Sequence, residues 1–108
     1  MVIIVSKYLI PKGYAAMALY PLLLLKEEKY RNHTVLLNHE KIHLRQQLEL
    51  FILPFYIWYA LEFFIKLAIY RNRSMAYRNI SFEKEAYKNE ADTDYLINRK
   101  LYSFLLFI

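Results

Sequence analysis

Apolar positions along the chain fall in blocks, and the blocks predict the elements. Val2 to Ile10 is rich in β-branched residues and predicts a strand. Pro11-Lys12-Gly13 follows as a tight turn, with proline suited to the first central position and glycine to the exit. Tyr14 to Lys26 then pairs back as a second strand, an edge strand broken at Pro21, although Ala15-Ala16-Met17-Ala18 pulls towards helix. Lys26 to Asn32 is charged and predicts a loop. Asn32 or Thr34 can cap a helix that meets no stop before Pro54, beyond which Phe55 to Tyr70 continues it past a kink. Arg71-Asn72-Arg73-Ser74 is a polar break with cations placed for a helix C-terminus. Asn79 or Ser81 caps a last long helix through about Asn98, without a capping box because Lys84 holds the place of the acidic partner. The apolar tail, Leu101 to Ile108, predicts a docked segment. Together these elements predict one α+β domain over residues 1–108, an N-terminal β-hairpin packed beside two long α-helices.

The middle of the chain is too apolar for this architecture to bury unaided. Leu50 to Leu61 has no formal charge, and Phe51, Phe55, Tyr56, Trp58, Tyr59, Phe63 and Phe64 leave almost no polar face. Hydrophobic residues make up 57% of 108 positions and aromatics 18%, more than a domain of this size readily hides. A spanning helix needs about twenty mostly apolar residues, and Glu62 and Lys66 interrupt that length. The surplus therefore predicts a homodimer or a peripheral membrane contact. A net charge of +5 suits an anionic surface. Lys and Arg form no dense basic block along the sequence, so nucleic acid is not an expected partner. Without cysteine, thiolate ligands and cysteine nucleophiles are excluded. The N-terminus lacks the pattern of a secretory signal, which predicts a cytoplasmic protein that associates with a membrane if its apolar helix does.

The chemistry centres on His39-Glu40-Lys41-Ile42-His43. On a helix, positions i and i+4 share a face, so the two imidazoles can meet one ion, with the Glu40 carboxylate on the flank. Zinc held this way keeps a position for water and lowers its pKa, and Glu40 can act as the general base that takes the proton. The motif uses two of only three histidines in the chain. His33, the third, serves the start of the helix. Gln47, one turn after His43, predicts a surface amide, and Asn38 points elsewhere. A third ligand from Glu49 is not expected, because no glycine lets the helix turn back. A second helix offers two carboxylates, Glu83 and Glu85, which project about 200° apart.

His39-Glu40-x-x-His43, followed some forty residues on by Phe82-Glu83-Lys84-Glu85-Ala86, resembles gluzincin-type zinc metallopeptidases. From Asn38 to Tyr95 the chain also looks like a family of small bacterial proteins carrying the same motif, on Asn38-His39-Glu40-Lys41-Ile42-His43-Leu44-Arg45-Gln46-Gln47 and Tyr77-Arg78-Asn79-Ile80-Ser81-Phe82-Glu83. The resemblance implies Glu83 as third ligand beside His39 and His43, with Ala86 in the small position that follows it. Tyr87 stands where the gluzincin pattern places an aspartate. One turn after Glu83, Tyr87 could instead reach the site as an oxyanion donor. The reading that results is a minimal zinc-dependent hydrolase, a metallopeptidase acting on a peptide or protein substrate that can add to a strand edge. Its alternative is a non-catalytic protein, metal-binding or metal-free, that works by oligomerising or by associating with a membrane surface.

Overall fold

The computed structural model describes residues 2–108. The fold is α+β, as the sequence predicts: a small N-terminal sheet packed against helices. Strands β1 (Val2–Val5), β2 (Ala16–Leu19) and β3 (Leu22–Leu25) form one sheet of order β1-β3-β2. The pairing differs from the expected hairpin. β2 and β3 make the hairpin, turning at Tyr20-Pro21, and β1 runs parallel to β3. Two physical facts explain the difference. Proline disrupts a ladder but suits the turn, and Leu22–Leu25 is apolar on both faces, as a central strand must be. Ser6 to Ala15 is therefore a crossing connection, not half of a hairpin.

Helix α1 (Thr34–Glu49) carries the histidine motif. Its cap is His33 rather than Asn32 or Thr34: the ring Nδ1 accepts the Leu36 amide at 3.1 Å. The predicted continuous helix does not form. The Ile52 amide bonds the Gln47 carbonyl at 2.7 Å and the Phe51 amide bonds that of Leu48, while Phe51 takes a positive φ of 58°. This pattern closes a helix. Helix α2 (Leu53–Tyr70) starts afresh, with Pro54 in the first turn, where a missing N–H leaves no bond unmade.

Helix α3 (Arg73–Arg78) is capped by Asn72 and leads into α4 (Ser81–Asn89). The long terminal helix expected to Asn98 breaks after Asn89. The side-chain amide of Asn38 donates to the carbonyls of Glu90 and Asp92, both at 2.8 Å, and holds the chain in a turn there. A short helix α5 (Tyr95–Asn98) follows. The tail then docks through Phe104, whose ring packs on Trp58 and Phe82.

Two hydrophobic clusters result. One joins the sheet to α1 through Ala16, Ala18, Leu23, Leu25 and Leu44. The other joins α2, α4 and the tail through Phe55, Ile80, Phe82 and Phe104. Of the eighteen residues of α2, only Phe55 and Glu62 are buried, so the surplus apolar surface remains exposed. α2 is also the one helix among the described residues long and apolar enough to cross a membrane, at a mean hydropathy of 1.3.

Glu62 has a structural task. Helix α4 lacks a capping side chain of its own. The Glu62 carboxylate accepts the Ser81 amide at 2.7 Å, the Ser81 hydroxyl, and the Trp58 indole N–H at 2.8 Å. Glu62→Ala strands these donors. At about 1.5–3 kcal/mol for each bond to a charged acceptor, it should destabilise the fold by roughly 3 kcal/mol or more. Glu62→Gln, which keeps an acceptor oxygen, should cost less, and urea unfolding of the two variants measures the difference.

Candidate metal centre

α1 places His39 and His43 one turn apart, facing α4. Their rings lie 4.8 Å apart between centroids, and α4 brings Glu83 between them. Nε2 of His39 stands 3.1 Å from Nε2 of His43, and Glu83 Oε1 stands 3.2 Å and 3.1 Å from these two atoms. Donors bound about 2.0–2.1 Å from a tetrahedral ion stand about 3.3–3.4 Å from one another. The triangle, slightly tighter than this, takes three corners of one coordination shell, so the three side chains could hold an ion of that size.

The outer partners settle which atoms face inward. Nδ1 of His39 lies 2.8 Å from Glu90 Oε2, and Nδ1 of His43 lies 2.8 Å from Gln46 Oε1. Gln46 cannot present its nitrogen there. Its amide nitrogen is engaged by the Phe82 carbonyl at 3.1 Å and by Glu85 Oε1 at 2.9 Å. Both rings thus donate from Nδ1 and, when neutral, turn an Nε2 lone pair towards a carboxylate oxygen. Three acceptors within 3.2 Å repel one another unless a positive charge stands among them.

Without metal, a proton supplies that charge. Burial opposes charging His43, but the Glu83 carboxylate, by charge and hydrogen bond, outweighs burial and lifts its pKa to about 9. Burial likewise works against the Glu83 anion. The charge of His43 and hydrogen bonds from His43 and Tyr59 nonetheless hold Glu83 well below the usual carboxylate range.

Glu40 is different. Burial raises its pKa, and among the described residues its Oε2 has no hydrogen-bond partner. Glu40 lies in the same cluster, its carboxylate within 4.8 Å of the histidine donors. It also forms, with His43 and Glu83, the wall of a cleft of about 520 Å³ bounded by β2 and α2. A second cleft of about 670 Å³, lined by Lys12, Arg73, Tyr87 and Glu90 among others, meets the first at Glu40, Tyr14 and Tyr77.

The other candidates separate. Glu85 does not join the triangle. Its carboxylate binds Arg99, Tyr95 and Gln46 instead. Tyr87 packs edge-on to His39 with ring centroids 4.5 Å apart, lies under Arg78, and puts its hydroxyl 3.4 Å from that of Tyr77. Tyr77, not Tyr87, lines the cleft shared by Glu40, His43 and Glu83. Gln47, expected at the surface, is buried. Its amide donates to the Ala18 carbonyl at 2.8 Å and accepts the Tyr20 amide at 2.7 Å, which ties the hairpin to α1.

Three contributors escaped the sequence analysis. The Tyr59 hydroxyl donates to Glu83 Oε2 at 2.7 Å. Gln46 follows His43 by three residues and shares its helix face, a spacing that marks it. Glu90 follows Glu83 by two helical turns, so it faces the same way. No family model matches the chain, nor does any curated protein or solved structure. The gluzincin resemblance thus rests on the motif residues, and a possible metal site on the cluster itself.

Zinc titration of chelator-treated protein checks the ligand set. His39→Ala and His43→Ala should each abolish tight binding, and Glu83→Ala should weaken it strongly. Gln46→Leu, which frees the His43 ring, should cost about 10- to 100-fold.

The metal-free protein should also show a distinctive pH dependence. His43, with its folded pKa raised, contributes stability that is complete below its ordinary 6.5 and lost as pH rises through about 9. Glu83, with its folded pKa depressed, contributes above 4.5 and loses its contribution as pH falls further. Metal-free melting temperatures should therefore peak between these two values and decline towards pH 9. Zinc should remove the alkaline decline, because it takes the place of the proton.

Proposed function

We propose that this protein is a zinc-dependent hydrolase, a minimal metallopeptidase. The observation that carries the reading is the triangle of His39 Nε2, His43 Nε2 and Glu83 Oε1, oriented by Glu90 and Gln46, beside the unpartnered Glu40 oxygen. Zinc, when bound by these three side chains, supplies Lewis acidity to a water and to a substrate carbonyl.

The chain's own groups have the remaining tasks. Glu40 accepts a proton from the water as its oxygen attacks the carbonyl carbon, and returns it to the leaving amine nitrogen. A pKa raised by burial suits a carboxylate that must hold that proton between the two transfers. Tyr77 faces the same cleft, and burial together with the nearby Glu83 charge keeps its hydroxyl protonated. In this reading it donates to the developing oxyanion, with the Tyr87 hydroxyl behind it.

A peptide fits the cleft for a backbone reason. β2 is an edge strand and its residues Ala16–Leu19 line the cavity. Gln47 already occupies the edge at Ala18 and Tyr20, which leaves Ala16, in the same cleft as Glu40, for an added strand. The remaining wall is aromatic, from Phe55, Tyr56, Tyr59 and Phe63, and favours apolar side chains.

Glu40→Gln tests the proposal. The variant should keep its fold and zinc but lose hydrolysis of unstructured peptides by about 10²- to 10⁴-fold. Wild-type protein that binds zinc stoichiometrically yet cleaves no member of a diverse peptide library would instead favour a metal-bound interaction protein.

A further inference from the structure

Helix α2 is turned inside out relative to an ordinary surface helix. At about 100° per residue, Leu53, Ile57, Leu61, Phe64, Ile65 and Ile69 fall on its outward half, and each is more than half exposed. Its two charged residues, Glu62 and Lys66, lie on the inward side with Phe55, Glu62 being buried against Ser81. The outward half therefore shows only carbon over about 27 Å, the length of eighteen helical residues.

Charge is as unevenly placed as apolar surface. Residues 1–26 and 63–82 hold seven of the 15 cations and none of the 10 acids. The two segments meet where Lys12 and Arg73 line one cleft together with Phe63 of α2. Arg71 closes the C-terminal end of α2 beside them. Among the described residues, Lys12, Arg71 and Arg73 make no ion pair. Tyr8 and Leu9, both well exposed, stand between Lys7 and Lys12 in the same segment.

This charge pattern separates two coverings of α2. A second copy packed antiparallel along α2 would set these cations against the start of its own α2, where Phe51 to Pro54 carries no acid. A stable protein interface also surrounds its apolar centre with a polar rim, which this face lacks along its length. An anionic bilayer supplies both complements, acyl chains for the apolar half and phosphates for the cations.

We propose that α2 lies flat in the surface of an anionic bilayer, its outward half among the acyl chains and Lys12, Arg71 and Arg73 at the headgroups. Ala60 and Phe64, at the border of the outward half, also line the cleft of Glu40, His43 and Glu83. Docking therefore sets the mouth of that cleft at the lipid surface. The docking stands without the hydrolase reading, and only the consequence for the cleft rests on it.

Flotation with phosphatidylcholine vesicles, with and without phosphatidylglycerol, tests the proposal on the full chain, both metal-free and as Glu40→Gln. The protein should float with the phosphatidylglycerol vesicles in either form, and less at high salt. The Ile57→Glu, Leu61→Glu double variant, altered only on the exposed half, should lose binding about tenfold or more while keeping wild-type zinc affinity. Reversing Arg71 and Arg73 to Glu should weaken binding by a similar factor. Failure of the wild type to float would overturn the proposal, as would undiminished binding by the double variant. Binding that resists alkaline carbonate would overturn it too, by putting α2 across the bilayer. So would a vesicle-indifferent dimer in sedimentation that the double variant splits, since that assigns the face to a second copy. A protein that floats but cleaves no peptide keeps the docking and sinks only the hydrolase.

Discussion

The site requires one positive charge at the point where His39, His43 and Glu83 converge, and the surrounding structure is arranged to keep those three acceptors together. Left to themselves they would separate, since a buried carboxylate oxygen and two imidazole lone pairs gain nothing from mutual approach. Each is held from behind. Glu90 and Gln46 fix the rings, and Tyr59 holds the second oxygen of Glu83. Those holders are themselves held. Asn38 grips the backbone at Glu90, and Glu62 anchors the first turn of α4 from α2. Residues far from the triangle thereby set its edges.

The longest such chain of support ends in the tail. The Arg99 side chain is fully buried. Its guanidinium forks onto Glu49 of α1, with bonds of 2.5 and 3.0 Å, and onto both oxygens of Glu85 of α4. Two buried carboxylates on one buried cation leave an excess negative charge, and neutral donors share it: the Tyr95 hydroxyl, the Tyr102 amide and the amide of Gln46. The Gln46 bond matters most, because it fixes which end of that amide meets His43. Burial alone would raise the Glu85 pKa, yet Arg99, Tyr95 and Gln46 together lower it. Glu85 therefore stays an acceptor, and the amide keeps its orientation. Glu85, the other carboxylate that the second helix offers, is thus a positioning group two steps away from the triangle.

The local parts of this arrangement were legible in the sequence, and the parts set by tertiary contact were not. Spacing of i and i+4 on a helix puts His39 and His43 on one face whatever surrounds them, so that pair could be read directly. Glu83 and Glu85 both sit on α4, and only the docking of α4 on α1 decides which one turns inward. The strand pairing failed for a similar reason. Val2–Val5 and Leu22–Leu25 are far apart in sequence, and their parallel contact has no local signature, whereas Pro21 carried the true turn in plain view. Glu62 was legible only in part. In sequence it interrupts an apolar run and so argues against a helix that crosses a membrane, but only the fold shows where it points, into the N-terminus of α4. A charge on a helix counts against an apolar environment only on the face that meets it.

The placement of the site between two cores would give a bound metal a structural consequence as well as a chemical one. The cluster of sheet and α1 and the cluster of α2, α4 and tail are separate, and α1 is bridged to α4 by the polar contacts of His39, His43 and Gln46 with Glu83 and Glu85 and by Arg99 between Glu49 and Glu85. Apolar burial stabilises each half at about 25 cal/mol per Å², but the bridges from α1 to Glu83 and Glu85 are polar. Polar contacts contribute little net stability and cost much when one partner is lost. An ion ligated by α1 through two histidines and by α4 through Glu83 would cross-link the halves directly, and its binding free energy adds to the stability of the fold. A chain of 108 residues with one thin core per half gains more from such a cross-link than a large domain would. The same scarcity explains the exposed side of α2. Its inward face is already committed to holding α4 in place through Glu62, so its apolar surface is left outward.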